Sequence, residues 1–567
     1  MTVNLGQSIT VGAITIEDSG GGTDSVFTLQ ENGGSFIFDF GASAFKLIGI
    51  LGTTTSTTGH LLATDIQLKS NLSAEVTGLM TVSGGIGEIG GSKTLTKTGS
   101  GLLYLTGSNS YSGGTIIDAG TLNIASDAAL GTAPDVTTTN ITFTGGTLQT
   151  NANLTISPSR SILLGAGGGT IDTQANEVSY SGAVTGTTAL TKAGSGLLAL
   201  NVSSINSGGA VIKGGVFRPA MLSGGALKFN DTSAVADANA VYEGSGTFSR
   251  ALGTGSGDVS WTANSSGGFS AYGGSLLVDL ATANTRDTIA WSAGNFLDTN
   301  YALLFGSTYS DNIVEWYDHI DLDTGSATVS RTIKVVDNPN TTADRAKITG
   351  DLKNTGTGTA SLVKMGDGVL ELAGSNAYKG TTTVSEGTLL VTGSLDSRTS
   401  AVTVNSGATL GGTGSILRPV VVNGGGHVSP GSSTGTLTLA GLQLVSGAAY
   451  DFQIDGALSD RIEITGAGAS FQLAANGVFD INVDFLPSGA TLAEYTLFHW
   501  TGDDPLFAGT TWNVSGAPGA AVSFRPADNL IVLAVPEMGT LSLLLSGLAF
   551  MAWMVGRCRR REDLLRD

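Results

Sequence analysis

Cysteine is almost missing from this chain of 567 residues: Cys558 stands alone. That excludes an intrachain disulfide, and it excludes a thiolate zinc centre, which draws two or more cysteine ligands from its chain. Proline is scarce as well, at 11 residues. With no Gly-X-Y period, a collagen-like triple helix is ruled out. Charged residues make up 13% against 41% for the hydrophobic set, so the chain can bury a core and is not a charge-solvated disordered polymer. Basic residues are the scarcer sign: 27 Lys and Arg face 46 Asp and Glu, a formal charge of -19. Binding nucleic acid by neutralising phosphates needs clustered cations, which this composition does not provide.

Glycine, in contrast, is abundant, at 84 residues, or about twice its usual ~7% share. Inside a helix each Gly costs roughly 1 kcal/mol relative to Ala, so helix-rich architectures fit badly. Short strands joined by tight turns fit well.

The glycines recur in register. The run LTKTGSGLLYL from Leu95 returns without gaps as LTKAGSGLLAL from Leu190 and as LVKMGDGVLEL from Leu362. Twenty residues after Lys97, Lys192 and Lys364 stand Ile117, Ile212 and Val384, and twenty-three residues after them stand Gly120, Gly215 and Gly387. Leu103 and Leu105 flank Tyr104, and Leu122 and Ile124 flank Asn123, the period of two that a half-buried strand requires. Gly-Ser-Gly and Ala-Gly between the runs supply the positive φ of sharp turns. Wound as coils, each strand stacks in parallel on its counterpart one turn away, about 4.8 Å along the axis. At roughly 20 to 25 residues per coil the sequence predicts a solenoid rod about 100 Å long. This β-helical region covers 1–448, with irregular coils or wider loops expected over the aromatic-rich stretch 244–338 and a less repetitive β cap with longer strands over 449–534.

The two ends carry different signals. Met538 to Gly556 is free of charge over 19 residues, and as a helix it is about 28 Å long, close to the ~30 Å hydrocarbon core of a bilayer. Arg557, Arg559, Arg560 and Arg561 follow at once. Basic residues beside a span stay on the cytoplasmic side, so the reading places the tail 562–567 inside and everything before Val535 outside. The chain opens directly in strand-like alternation from Met1, with no basic n-region or apolar h-region visible, so the reading expects an export leader upstream.

The repeat unit, LTKTGSGLLYLTGSNSYSGGT from Leu95 closing with Ala119-Gly120-Thr121-Leu122, strongly resembles the passenger-associated (autotransporter-associated) β-strand repeat. The second copy departs from it, with Ile205 read at the place of the Tyr and Ala210 at the place of the Thr. The resemblance implies an all-β fold, a right-handed parallel β-helix on an exported bacterial surface protein. The C-terminus resembles the PEP-CTERM sorting signal, in which a Pro-Glu-Pro motif precedes an apolar span and an Arg cluster. Here the motif is Val535-Pro536-Glu537, with Met538 where the second Pro stands. That resemblance implies an exosortase-type processing enzyme as partner and sorting from the inner membrane to the surface or matrix. Exopolysaccharide and neighbouring surface proteins are the other expected partners.

Solenoids also house polysaccharide lyases and glycoside hydrolases, so acid pairs were sought. The densest run is Glu315, Asp318, Asp321 and Asp323 with His319, which could serve glycoside hydrolysis or hold Ca²⁺ but equally reads as an exposed strand face. Asp451, Asp455, Asp460, Arg461 and Glu463 read as surface pairing. Lys97, Lys192 and Lys364 are assigned to rung edges beside the turns. His60, His319, His427 and His499 are scattered without metal-like spacing. Gly20 to Asp24 resembles one Gly-Asp calcium repeat, a site that needs stacked copies. No cofactor or catalytic residue is assigned. The sequence thus predicts a non-enzymatic surface or matrix component acting in adhesion or biofilm, with a carbohydrate-active β-helix enzyme as the alternative.

Overall fold

The computed structural model describes residues 60–535 apart from 203–206, 223, 281–284, 399, 432, 467 and 506, together with the backbone of six strands between Thr2 and Ile50. Apart from one 3-10 turn at Asp127–Leu130, every regular element among them is a strand. The chain forms two compact units, 1–350 and 351–567.

In the first unit, consecutive stretches of chain wind into stacked coils. His60–Ala63 pairs with Leu79–Val82, which pairs with Leu102–Leu105, then Thr121–Ile124 and Thr147–Thr150, every pair parallel. A second side stacks Leu72–Val76, Leu95–Thr98, Thr115–Ile117 and Thr138–Phe143 in the same way. A third sets Ile66–Leu68 beside Ile86–Glu88. Each coil therefore adds one strand to each of several parallel sheets, which hairpins joined by tight turns cannot do. Partners lie 20 residues apart at Leu95 and Thr115, 19 at Leu102 and Thr121, and 26 at Thr121 and Thr147. The expected coil length holds over the clear repeats.

The period of two sets the core. Leu103, Leu105, Leu122 and Ile124 are at most 1% exposed and stack in columns through the coil interior. From Val241 to Val335 the coils widen: Gly267 pairs with Leu303, 36 residues on, and Leu277 with Glu315, 38 residues on. A wider coil leaves more interior to fill, and aromatic rings fill it. Phe269 meets Phe248 at 5.0 Å, Phe229 at 5.5 Å and Trp316 at 6.3 Å, while Phe296 bridges Trp261 at 4.8 Å and Trp316 at 5.8 Å. The aromatic enrichment seen in the sequence marks the change of bore.

In the second unit, Ser415–Val422 stacks in parallel on Thr436–Leu444, and Ala449–Gly456 on Val478–Ala490. Pairing does not change at 448, and strand length does not mark that point: strands of 8 and 9 residues precede it, and strands of 8, 4 and 13 residues follow it. Pairing turns antiparallel where Glu494–Trp500 and Ala521–Arg525 each pair with Leu530–Ala534. A coil stack left open ends in unpaired strand edges, and this antiparallel group alters the pattern at that end. Among the described residues no helix is long and apolar enough to cross a membrane, and the span 538–556 lies outside them.

At the corners the backbones of successive coils nearly touch. Gly120, at φ +63, would place a Cβ 2.5 Å from the carbonyl oxygens of Gly99 and Gly101. Gly90 has a similar φ of +73 with nothing within 4 Å. Strain alone therefore makes Gly90→Ala cost about 1 kcal/mol, whereas Gly120→Ala adds a backbone clash and costs on the order of 3 kcal/mol. Urea unfolding of the two variants measures the difference, and equal midpoints would contradict the close-approach account.

Candidate functional site

The repeat signature builds one corner three times. Lys97 Nζ donates to the carbonyl oxygens of Thr98 at 2.8 Å, Gly99 at 2.8 Å and Ala119 at 3.1 Å. Lys192 Nζ donates to Ala193 at 2.8 Å, Gly194 at 2.7 Å and Gly214 at 3.0 Å. Lys364 Nζ donates to Gly366 at 2.5 Å and Glu386 at 2.9 Å. All three lysines are 0% exposed. The assignment to rung edges is corrected: each lysine lies inside the coil and ties its own turn to the turn of the next coil. Burial pushes Lys192 down to about 7 and Lys97 down to about 8. The donors are aimed at backbone carbonyls, so these amines serve the corner.

The other polar positions of the repeat answer one another. Asn109 accepts the Ile86 N–H at 2.8 Å and donates to the Ala129 carbonyl at 2.6 Å, while Asn376 accepts the Leu352 N–H at 2.9 Å and donates to the Ser394 carbonyl at 3.0 Å. Tyr111 shares a hydrogen bond of 2.7 Å with Thr115, and Tyr378 shares one with Thr382. Counted without a gap from Lys192, the Tyr position of the second copy falls on Asn206, one residue past Ile205, and the Thr position on Ala210, so both partners of that bond are replaced together. A guanidinium closes the corner from below: Arg418, 0% exposed, donates to the carbonyls of Tyr378 and Gly380 and pairs with Asp396 at 2.7 Å. Arg160 does the same around Gly131, Leu130 and Asp127.

The acid candidates are dispersed into structural roles. Asp318, Asp321 and Asp323 are 0%, 2% and 7% exposed, so that run is not an exposed strand face. Asp318 accepts the N–H of Leu280 at 2.8 Å and of Asp287 at 3.3 Å, and burial raises its pKa to about 6. Asp321 accepts the N–H of Asp323 at 3.2 Å, and Glu315 lies in a strand with an outward, half-buried side chain. In the second group, Asp451 pairs with His427 at 3.0 Å, and Glu463 pairs with Arg461 at 2.7 Å and His499 at 2.5 Å, on the surface as expected. Asp455 accepts the Ser488 N–H at 3.1 Å. Asp460 departs: it is 0% exposed, accepts the N–H of Gly435 at 2.9 Å and of Gln453 at 2.8 Å, and is pushed up to about 7 by burial. Among the described residues no group of three or more His, Cys, Asp and Glu is placed to hold a metal ion.

A cluster that sequence reasoning missed stands on the outer face of the wide coils. Glu243, 0% exposed, receives Arg218 Nε at 2.6 Å, Ser270 Oγ at 2.7 Å and Ser307 Oγ at 2.5 Å. The Arg218 guanidinium lies 3.4 Å from the Tyr272 ring centroid and 5.8 Å from that of Tyr309. Stacking on both rings fixes the plane of the guanidinium. The only trace of this cluster in the sequence is the local excess of aromatic residues.

Of the sorting-signal residues, Val535 directly follows the last described strand, Leu530–Ala534, and is buried, its N–H bonded to the Ala493 carbonyl at 2.9 Å. Pro536, Glu537, Arg557, Arg559, Arg560 and Arg561 lie outside the described residues, as do Cys558 and Gly20 to Asp24.

Three segments, 95–124, 190–218 and 362–391, match the passenger-associated-transport-repeat family, so the chain carries that repeat three times. Among curated proteins it is similar to the adhesin BmaC autotransporter of Brucella suis biovar 1 (strain 1330), 46% identical over 97 residues, or 17% of this chain and 3% of the adhesin. The chain thus matches a small part of that relative's length. Among solved structures it is similar to the Haemophilus influenzae Hap adhesin at 12% identity, covering 90% of this chain and 64% of that one, with a TM-score of 0.21.

Two measurements test these roles. Lys192→Met leaves buried carbonyls without their donor and is expected to cost about 2–4 kcal/mol in urea unfolding; an unchanged midpoint would refute the corner role. Asp460 keeps its proton in the folded chain up to about pH 7, against an ordinary value of 3.8. Between those values the folded state binds more protons than the unfolded one, so the stability contributed by this group falls as pH rises through the window. Asp460→Asn is expected to flatten that dependence, measured as unfolding midpoint against pH.

Proposed function

We propose that this chain is an exported cell-surface protein of adhesin type, a right-handed parallel β-helix that displays its outer face for binding and performs no chemistry. The observation that carries the reading is the lysine corner, built three times, each within a segment that matches the passenger repeat, in a chain that is 46% identical over 97 residues to a protein described as an adhesin autotransporter. Right-handedness follows the general preference of parallel crossovers for that hand. The acids first considered for catalysis hold backbone amides or pair on the surface, which favours binding over hydrolysis.

The C-terminal segment is proposed as the sorting device. Residues 538–556 span the inner membrane, the Arg cluster from Arg557 holds the tail in the cytoplasm, and an exosortase-type enzyme processes the chain near Val535-Pro536-Glu537 before release to the surface or the exopolysaccharide matrix. The cap 449–534 ends the solenoid ahead of that segment.

Fractionation of the native host with mass mapping of the mature C-terminus tests the route. The expected product is a surface or matrix form ending near Glu537. Recovery of the intact tail in the inner membrane alone would refute sorting. Adhesion of cells that display the chain, compared with cells lacking it, tests the function, and depolymerisation of a polysaccharide by the purified chain would overturn the non-enzymatic assignment.

A further inference from the structure

The core of the second unit is left bare where its strands run out. Thr511–Ser515 stacks on Val478–Asn482, which sets Trp512 over Phe479 and Val514 over Ile481; Ala521–Arg525 lies beside Leu530–Ala534, which sets Val522 by Leu533 and Phe524 by Ile531. The four inner partners are all 0% exposed. Trp512, Val514, Val522 and Phe524 share their inward parity yet are only half-buried, as is Phe507. Among the described residues no strand of a further coil pairs ahead of Thr511–Ser515 or Ala521–Arg525, so none of them seals this layer.

The layer is aromatic and uncharged. Phe507 meets Phe524 at 5.0 Å and Trp512 at 6.1 Å, with the ring planes within 18° of each other, and Phe524 meets Trp500 at 5.7 Å. From Pro505 to Phe524 the sequence holds no Asp, Glu, Lys, Arg or His; the acids Asp503, Asp504 and Asp528 stand outside that stretch, and Arg525 is paired with Glu494 at 2.5 Å. At the corner that follows, Pro518 and Ala521 are exposed.

The chain leaves the unit beside this layer. Ala534 lies between Ala521 and Glu494, Val535 is tied to Ala493, and Leu492, one residue further, is 48% exposed. Only Pro536 and Glu537 separate Val535 from the uncharged stretch 538–556. Three residues reach about 10 Å when extended. A span that starts at Met538 therefore holds Val535 within about 10 Å of the hydrocarbon, beside a headgroup region that adds about 5–7 Å on each side.

This placement selects the occupant. A second copy would be tethered to the same bilayer at the same point, so the two ends would face the lipid and not each other. The face carries no free cation to select anionic headgroups, while Trp and Phe are the side chains that settle at a membrane interface. The unpaired strand edges limit the depth: their N–H and C=O groups need water or headgroup partners, which hydrocarbon does not provide. We infer that the last coil of the second unit docks on the non-cytoplasmic leaflet of the membrane, with Phe507, Trp512, Pro518 and Ala521 at headgroup depth. The inference rests on the proposed span for the tether and on the bare end of the core for the contact.

Fluorescence quenching in the full chain, reconstituted into phosphatidylcholine vesicles, tests it. Trp553 in the span is replaced by Trp553→Phe, and Trp261, Trp291, Trp316 and Trp500 are at most 3% exposed. The emission lost on adding Trp512→Phe is then the signal of Trp512. Lipids brominated near the headgroup are expected to quench that signal at least twofold, and more than lipids brominated near the chain ends. Pro518→Asp and Ala521→Asp, both at exposed positions, are each expected to reduce the quenching at least twofold with unchanged circular dichroism and unchanged flotation with the vesicles. Flotation without quenching of Trp512, or quenching untouched by both aspartates, would overturn the docking and leave the span standing. A chain that does not float with the vesicles at all would refute the span, and the docking with it.

Discussion

One spacing governs this protein: the few ångströms, about 4.8, between a strand and its counterpart one coil away. Because the pairing is parallel and in register, each residue meets its own structural equivalent, and whatever a corner demands is demanded again at the next coil. A Cβ at Gly120 or Gly215 would fall 2.5 Å or less from a carbonyl oxygen of the coil beneath. The carbonyls crowded into such a corner need a donor that can reach them from inside, and the lysine two residues before Gly99 or Gly194 provides it. Glycine and lysine are thus two halves of one solution: the first lets the backbones approach, and the second satisfies the acceptors that the approach brings together.

The same rule explains why so little of the repeat region offers a site. Polar side chains on the outer columns find each other before they find a ligand. Asn123 donates to Gln149 at 2.8 Å and Gln149 to Asp172 at 2.9 Å, and on the second unit Asn482 joins Asp451 at 2.7 Å and Ser515 joins Asn482 at 2.9 Å. Such ladders pair off hydrogen-bonding capacity along the stack.

This difference also marks what could be read from the sequence. The coils were legible because fixed offsets from Lys97, Lys192 and Lys364 repeat, and the period of two separates Leu103 from Tyr104. The inward lysine was legible in principle, since Leu95 and Lys97 share a parity and Leu95 is plainly core; charge argued the other way, and only the carbonyls of Thr98, Gly99 and Ala119 resolve the conflict. The Arg218 cluster was not legible. Its members are 25 residues apart for Arg218 and Glu243 and 64 for Glu243 and Ser307, separations set by wide coils that follow no repeat. Burial of Asp318 and Asp460 was hidden for a similar reason, because each accepts backbone N–H groups from segments distant in sequence.

Between one strand and its partner the chain travels 19 residues at Leu102 and 38 at Leu277, yet the ladder of hydrogen bonds reads the same on either side. The stack therefore does not measure how much polypeptide lies between rungs. A coil can be lengthened while the ladder on either side is kept, provided the interior is refilled, as the rings around Phe269 and Phe296 refill it. On such a frame, novelty in what is recognised need not compete with the integrity of what holds it up.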